Sequence, residues 1–126
     1  MTTKTETDFL AFVNIMGGGS WARNESKSQA IRSCLNITVC DWSSMFKLDD
    51  NDIHINVFDV QGYDSVRWGA DGIFGWTDDE AKERHDLSDR FVQQVVVHTP
   101  PLGKAKSMNT AAYKRKLNEA LLDALV

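Results

Sequence analysis

Read for its alternation of apolar and polar positions, the chain falls into short segments of two periods. Phe9-Leu10-Ala11-Phe12-Val13-Asn14-Ile15-Met16 is a nearly unbroken apolar run of strand formers, which predicts a strand covered on both faces. Gly17-Gly18-Gly19 ends it. Ser26 and Gln29 form an S-x-x-Q capping box, and Ala30, Ile31, Cys34 and Leu35 follow at helical spacing, so a helix is predicted after Ser26. Ile37 to Cys40 reads as a short strand or helix exit, and Trp42 to Leu48 as an extended piece. Asp49-Asp50-Asn51-Asp52 has the composition of a tight turn.

Ile53 to Val60 alternates apolar with polar residues and predicts a half-buried strand. Gln61-Gly62-Tyr63-Asp64 reads as a hairpin loop returning through Ser65 to Trp68, and Asp71-Gly72 as a second turn before Ile73 to Trp76. Thr77 and Glu80 make a T-x-x-E box for a short charged helix ending near Asp86. Phe91 to His98 is β-branched and apolar, a further strand. After Pro100, Pro101 and Gly103, a last helix starting near Asn109 or Thr110 places Tyr113, Leu117, Leu121 and Leu125 on one face. The order predicts an α+β fold: a mostly antiparallel sheet of about five strands with two or three helices packed on one face.

The 126 residues fit one domain, with residues 1–8 read as a frayed terminus. With 42% hydrophobic and 25% charged residues, a globular core needs neither disulfides nor metal. The apolar run from Phe9 is too short to span a bilayer and lacks a basic leader, so a soluble, cytoplasmic protein without membrane association is expected. Cys34 and Cys40 read as reduced structural thiols.

Charge changes the picture more than composition does. Residues 41–90 carry a net −8 and residues 101–126 a net +3. A dipolar chain with an acidic middle argues against direct nucleic-acid binding through a broad basic face.

Candidate chemistry is sparse. Gly17-Gly18-Gly19-Ser20-Trp21-Ala22 fits G-x-G-x-x-A, with Asp41 about where a ribose-binding acid would stand. The predicted helix, however, starts well after the glycines, and Trp21 is bulky where a pyrophosphate must approach closely. The segment around Gly103-Lys104 imitates a phosphate loop, but His98 and Ala105 break the pattern at its two ends. His54, His85 and His98 show no metal-ligand spacing, and the aspartate turn lacks the glycine and distal glutamate of a calcium loop. No catalytic, cofactor-binding or metal-ligating residue is therefore assigned. His54 and His98 alternate with apolar strand residues, so one sheet face would carry both.

Phe9 to Leu35, with its strand, glycine-containing loop and S-x-x-Q-A-I helix start, resembles small partner domains such as the HicB-like antitoxins over about a fifth of the chain. No residue role follows from that likeness.

The remaining signal is four tryptophans: Trp21, Trp42, Trp68 and Trp76. Tryptophan at strand and loop edges suits partner contact. The sequence therefore points to a non-catalytic interaction protein, a regulator or inhibitor, acting through an acidic, Trp-containing surface. Trp68, Trp76, Asp71, Asp78, Asp79 and Glu80 are the candidate partner-binding residues. Their carboxylates could copy phosphate spacing as a nucleic-acid mimic. A protein partner is expected, and a homodimer through Phe91–His98 or the last helix is compatible with the pattern. The alternative is a small enzyme or nucleotide-binding domain using Gly17–Gly19 and nearby histidines.

Overall fold

The computed structural model describes residues 7–15, 18–69, 72–76 and 84–125, and among these are two α-helices, seven strands and a short 3-10 turn at Ser88–Arg90. The strands are β1 (Phe9–Ile15), β2 (Gly18–Asn24), β3 (Asp52–Asp59), β4 (Ser65–Gly69), β5 (Gly72–Trp76), β6 (His85–Asp86) and β7 (Phe91–His98). The helices are α1 (Lys27–Trp42) and α2 (Ala111–Leu125). All described pairings are antiparallel, in a four-stranded sheet of order β2-β1-β3-β7 and a three-stranded sheet of order β4-β5-β6. The predicted α+β class is the observed one, with the strands divided between two sheets.

The main core follows from alternation. Side chains on successive strand residues point to opposite faces. Ala11 and Val13, Ala22, Ile53, Ile55 and Val57, and Val95 and Val97 are therefore on one face, where they pack against Ala30, Ile31, Cys34, Leu35 and Val39 of α1 and Tyr113, Leu117 and Leu121 of α2. Both helices thus cover the same side of the sheet. A second, smaller core of Leu10, Phe58, Val60 and Leu87, joined by Tyr63, Val66 and Ile73, seats the three-stranded sheet against one end of the opposite side.

Local chemistry sets the boundaries. Ser26 caps α1 as predicted, its Oγ accepting from the Gln29 N–H at 3.4 Å. The Ile37–Cys40 stretch continues this helix rather than leaving it, because Thr38 and Val39 are buried on the same stripe as Cys34 and Leu35. The Thr38 hydroxyl donates to the Cys34 carbonyl at 2.8 Å, which satisfies a polar group on that buried stripe. After Trp42 the chain turns instead of extending, with the Met45 and Phe46 amides donating to the Trp42 carbonyl.

Three further expectations change. Gly18 and Gly19 open a strand: Asn14 pairs with Gly19 and Val13 with Ser20, so β1 and β2 form an antiparallel ladder where a loop was expected. A Cβ on Gly19 would stand 1.9 Å from the Val13 carbonyl oxygen, which explains the glycine there. Next, β3 and β4 do not form a hairpin, since β4 pairs with β5 in the other sheet. Finally, the short helix predicted over 77–86 does not reach its expected end, because His85 and Asp86 pair with Gly75 and Phe74 as a strand. Residues 77–83 lie outside the described residues.

Thr7 and Asp8, at the end of the segment read as frayed, are bonded. Thr7 Oγ1 donates to the Glu25 carbonyl at 2.7 Å, and the Asp8 carbonyl accepts from the Val60 N–H at 2.9 Å. Among the described residues no helix is long and apolar enough to cross a membrane.

Candidate partner-binding surface

With both helices on one side, the small sheet is the only described element over the opposite side of the four-stranded sheet. Alternation and register assign its rows. Arg23, Leu10, Phe58 and Phe91 form the row nearest the small sheet, with the Phe58 and Phe91 rings edge to face at 5.6 Å. Trp21, Phe12, Asn56 and Gln94 form the next, then Gly19, Asn14, His54 and Val96, and finally Asp52 with His98.

In the first row Leu10 and Phe58 are buried, Arg23 is partly buried and Phe91 is 49% exposed. Outside it, Trp21 is 45% and Val96 41% exposed, while Asn14, His54 and Gln94 are exposed. Gln94 Nε2 donates to Asn56 Oδ1 at 2.9 Å, fixing two amides flat on the sheet. The two middle rows carry aromatic, amide, imidazole and aliphatic groups and no Lys, Arg, Asp or Glu.

The charges at either end are engaged. The Arg23 guanidinium donates to Asp8 Oδ2 from Nε at 2.9 Å and from Nη2 at 2.6 Å. It also reaches the carbonyls of Val60, Tyr63 and Asp64, tying β2 to the loop that leads into the small sheet. At the far end, His98 Nδ1 lies 2.8 Å from Asp52 Oδ1 and Nε2 lies 3.1 Å from Asp50 Oδ1. These hydrogen bonds, to Asp52 first and then Asp50, raise the imidazole pKa. Asp50 holds a positive φ of 51°, and the turn is fixed further by Thr99, whose hydroxyl donates to the Leu48 carbonyl at 2.5 Å.

Where the two sheets meet, a crevice of about 330 Å³ is lined by Trp21, Arg23, Asp64, Ser65, Val66 and Arg67. Trp21 thus forms both the edge of the open face and a wall of this crevice. Another of about 330 Å³ lies between the 102–105 loop and the start of α2, lined by Leu102, Lys104, Ala105, Thr110, Ala112, Tyr113 and Lys116.

Several sequence candidates are separated by the fold. Trp68 stands opposite Ile73 and Trp76 opposite Ser65, towards opposite ends of the β4–β5 ladder, and Trp76 is half-buried. Asp71, Asp78, Asp79 and Glu80 lie outside the described residues. Trp42 is an internal anchor, with Nε1 donating to Ser20 Oγ at 3.0 Å and its ring 5.9 Å from Phe46. Trp21 is the residue that sequence reasoning undervalued. Its signal was the two-residue alternation of Ser20, Ala22 and Asn24 against Trp21 and Arg23, hidden behind the glycines.

The histidines are dispersed rather than gathered. His54 and His98 share the open face, as their alternation predicted, while His85 sits in the small sheet with its ring 5.7 Å from Tyr63. Cys34 is buried, and desolvation pushes its thiol up to about 12, so it is no thiolate nucleophile near neutral pH. The dinucleotide reading is corrected by geometry: Gly18 and Gly19 belong to a strand, and the first helical turn begins at Lys27, so the glycine amides do not adjoin a helix N-terminus. Gly17 lies outside the described residues. No group of three or more His, Cys, Asp or Glu among the described residues is placed to hold a metal ion. No protein-family model, curated protein or solved structure matches this chain.

Proposed function

We propose that the chain is a non-catalytic protein-interaction module whose working surface is the open side of the four-stranded sheet, centred on Trp21, Asn14, His54 and Val96. The observation that carries this reading is the one-sided placement of α1 and α2, which leaves Trp21 and Val96, with Asn14, His54 and Gln94 beside them, exposed on a face with neither helix over it. Exposed apolar groups next to fixed amides match the composition of protein contact surfaces, where tryptophan anchors the contact and charge is depleted at the centre.

The strip's chemistry selects its partner. Its two middle rows lack lysine and arginine, and Arg23 spends its donors on Asp8 and three carbonyls, so there is little here to neutralise phosphates. The partner is a protein surface of apolar side chains with amide and hydroxyl groups, without dense charge. The roles of regulator or inhibitor, and a contribution from Trp68, Trp76 and the acids Asp71, Asp78, Asp79 and Glu80, belong to the same proposal as a second contact region.

The test is affinity capture from the native cell extract with wild type, Trp21→Glu, Val96→Glu and Arg115→Glu. A partner retained by wild type and by the α2 variant Arg115→Glu, but lost with Trp21→Glu and Val96→Glu, is the expected outcome. Equal capture by all four folded proteins would remove the open face from consideration.

A further inference from the structure

Strand β7 ends the four-stranded sheet, and among the described residues no strand pairs with its second edge. Its sequence, FVQQVVVH, has no Lys, Arg, Asp, Glu, Pro or Gly, and Phe91, Val92 and Val96 are 49%, 42% and 41% exposed. Edge strands of soluble proteins are ordinarily guarded by charge, proline or brevity, because their unpaired amides and carbonyls template association. The one guard here is a register shift opposite Val57 and Phe58, at the beginning of the strand. From Gln93 onward the edge is straight and unguarded. The opposite edge, β2, differs: it contains Gly18, Gly19 and Arg23 within seven residues.

We infer that two copies of this chain join edge to edge through β7, antiparallel, about a two-fold axis at Gln94. The strand is its own complement. An axis perpendicular to the sheet pairs residues of equal parity, so each face continues into the same face of the second copy. Centred on Gln94, it sets Gln94 opposite Gln94 of the partner subunit and Gln93 opposite Val95 of the partner subunit within the straight part of the edge, and brings Val96 to the bulged Val92 of the partner subunit where the ladder ends. A centre at Gln93 or Val95 instead leaves at least one of those exposed valines without the other. No like charges meet along Phe91–Val97, since none are present, and the paired amides have hydrogen-bonding capacity of both signs. The product is a continuous eight-stranded sheet. A consequence that rests on the proposed function is that both open faces lie on one side, offering a partner two Trp21 surfaces at once.

Sedimentation equilibrium of the full chain at micromolar concentrations tests this without any partner. Wild type is expected to be a dimer. Gln94→Lys, which sets two like charges opposite each other, and Val96→Lys are both expected to weaken association by at least about tenfold. Circular dichroism should stay unchanged, because both side chains are on exposed positions of the strand, and the melting temperature should fall only by the contribution of the lost association, vanishing at high dilution. In a Cys40→Ser background, Gln94→Cys should form an intermolecular disulfide under mild oxidation, since the two introduced thiols face each other at the axis. A wild-type monomer throughout the range, or a dimer indifferent to both lysine variants, would overturn the proposal. A dimer whose introduced thiols never cross-link would overturn the register.

Discussion

Removing the Arg23 guanidinium is the most informative single change, because that group ties the sheets together beside the crevice. In Arg23→Met the aliphatic stem keeps its packing while Asp8 and three carbonyls lose their donor. The Asp8 contacts, at 2.6 and 2.9 Å, are charge-assisted, and the side chains of Arg23 and Asp8 are 23% and 27% exposed. A charge-assisted hydrogen bond contributes about 1.5–3 kcal/mol, and partial rehydration of Asp8 offsets some of its loss. The longer contacts to Val60 and Asp64, at 3.3 and 3.4 Å, add little. The net cost is about 2–3 kcal/mol. With an unfolding entropy of about 2.1 cal/mol/K per residue, that lowers the melting temperature of this chain by about 10 °C. Arg67→Met is the control, since no partner of that guanidinium is found among the described residues, and surface changes of this kind stay within about 0.5 kcal/mol. Differential scanning calorimetry reads both. Equal melting temperatures for the two variants would refute the claim that Arg23 links the sheets.

Two further expectations concern titration and thiol chemistry. Because the folded-state pKa of His98 is raised, its stabilisation is fully present below the unfolded-state value near 6.5 and is lost as pH rises through the higher folded value. Wild type should therefore exceed His98→Gln in urea stability at pH 5.5 and converge with it in mildly alkaline solution; a gap constant across that range would contradict the imidazolium assignment. A native chain at pH 8 should react with a thiol reagent at one site, exposed Cys40, and at two sites in denaturant, because Cys34 is buried and its pKa stands near 12. Two rapid native equivalents would refute the burial of Cys34.

The legible parts of the fold were those whose pattern is local. The alternation of Ile53, Ile55 and Val57 and the stripe of Tyr113, Leu117 and Leu121 each determine an element and its buried face without reference to anything distant. The segment Gly18–Asn24 was not legible, because glycine suppresses the strand signal, and the need for Gly19 arises from a backbone 1.9 Å from its absent Cβ. Ile37, Thr38 and Val39 carry β propensity, and burial of Thr38 and Val39 against the sheet overrides it. The division into two sheets depends on which strands pair over long range. Leu10 and Phe58, which seat the small sheet, read in sequence only as strand residues. The same limit applied to the site: the shared face of His54 and His98 was visible from alternation, while Trp21 became prominent only once β2 was a strand.

Photo-crosslinking inside cells tests the open face most directly. A photoreactive residue placed at His54, in the middle of that face, should yield a discrete protein adduct, whereas one placed at Arg115 on the exposed side of α2 should yield none of the same mass. Adducts at Arg115 with none at His54 would mean that partners bind the helical side, and would contradict the open face as the working surface.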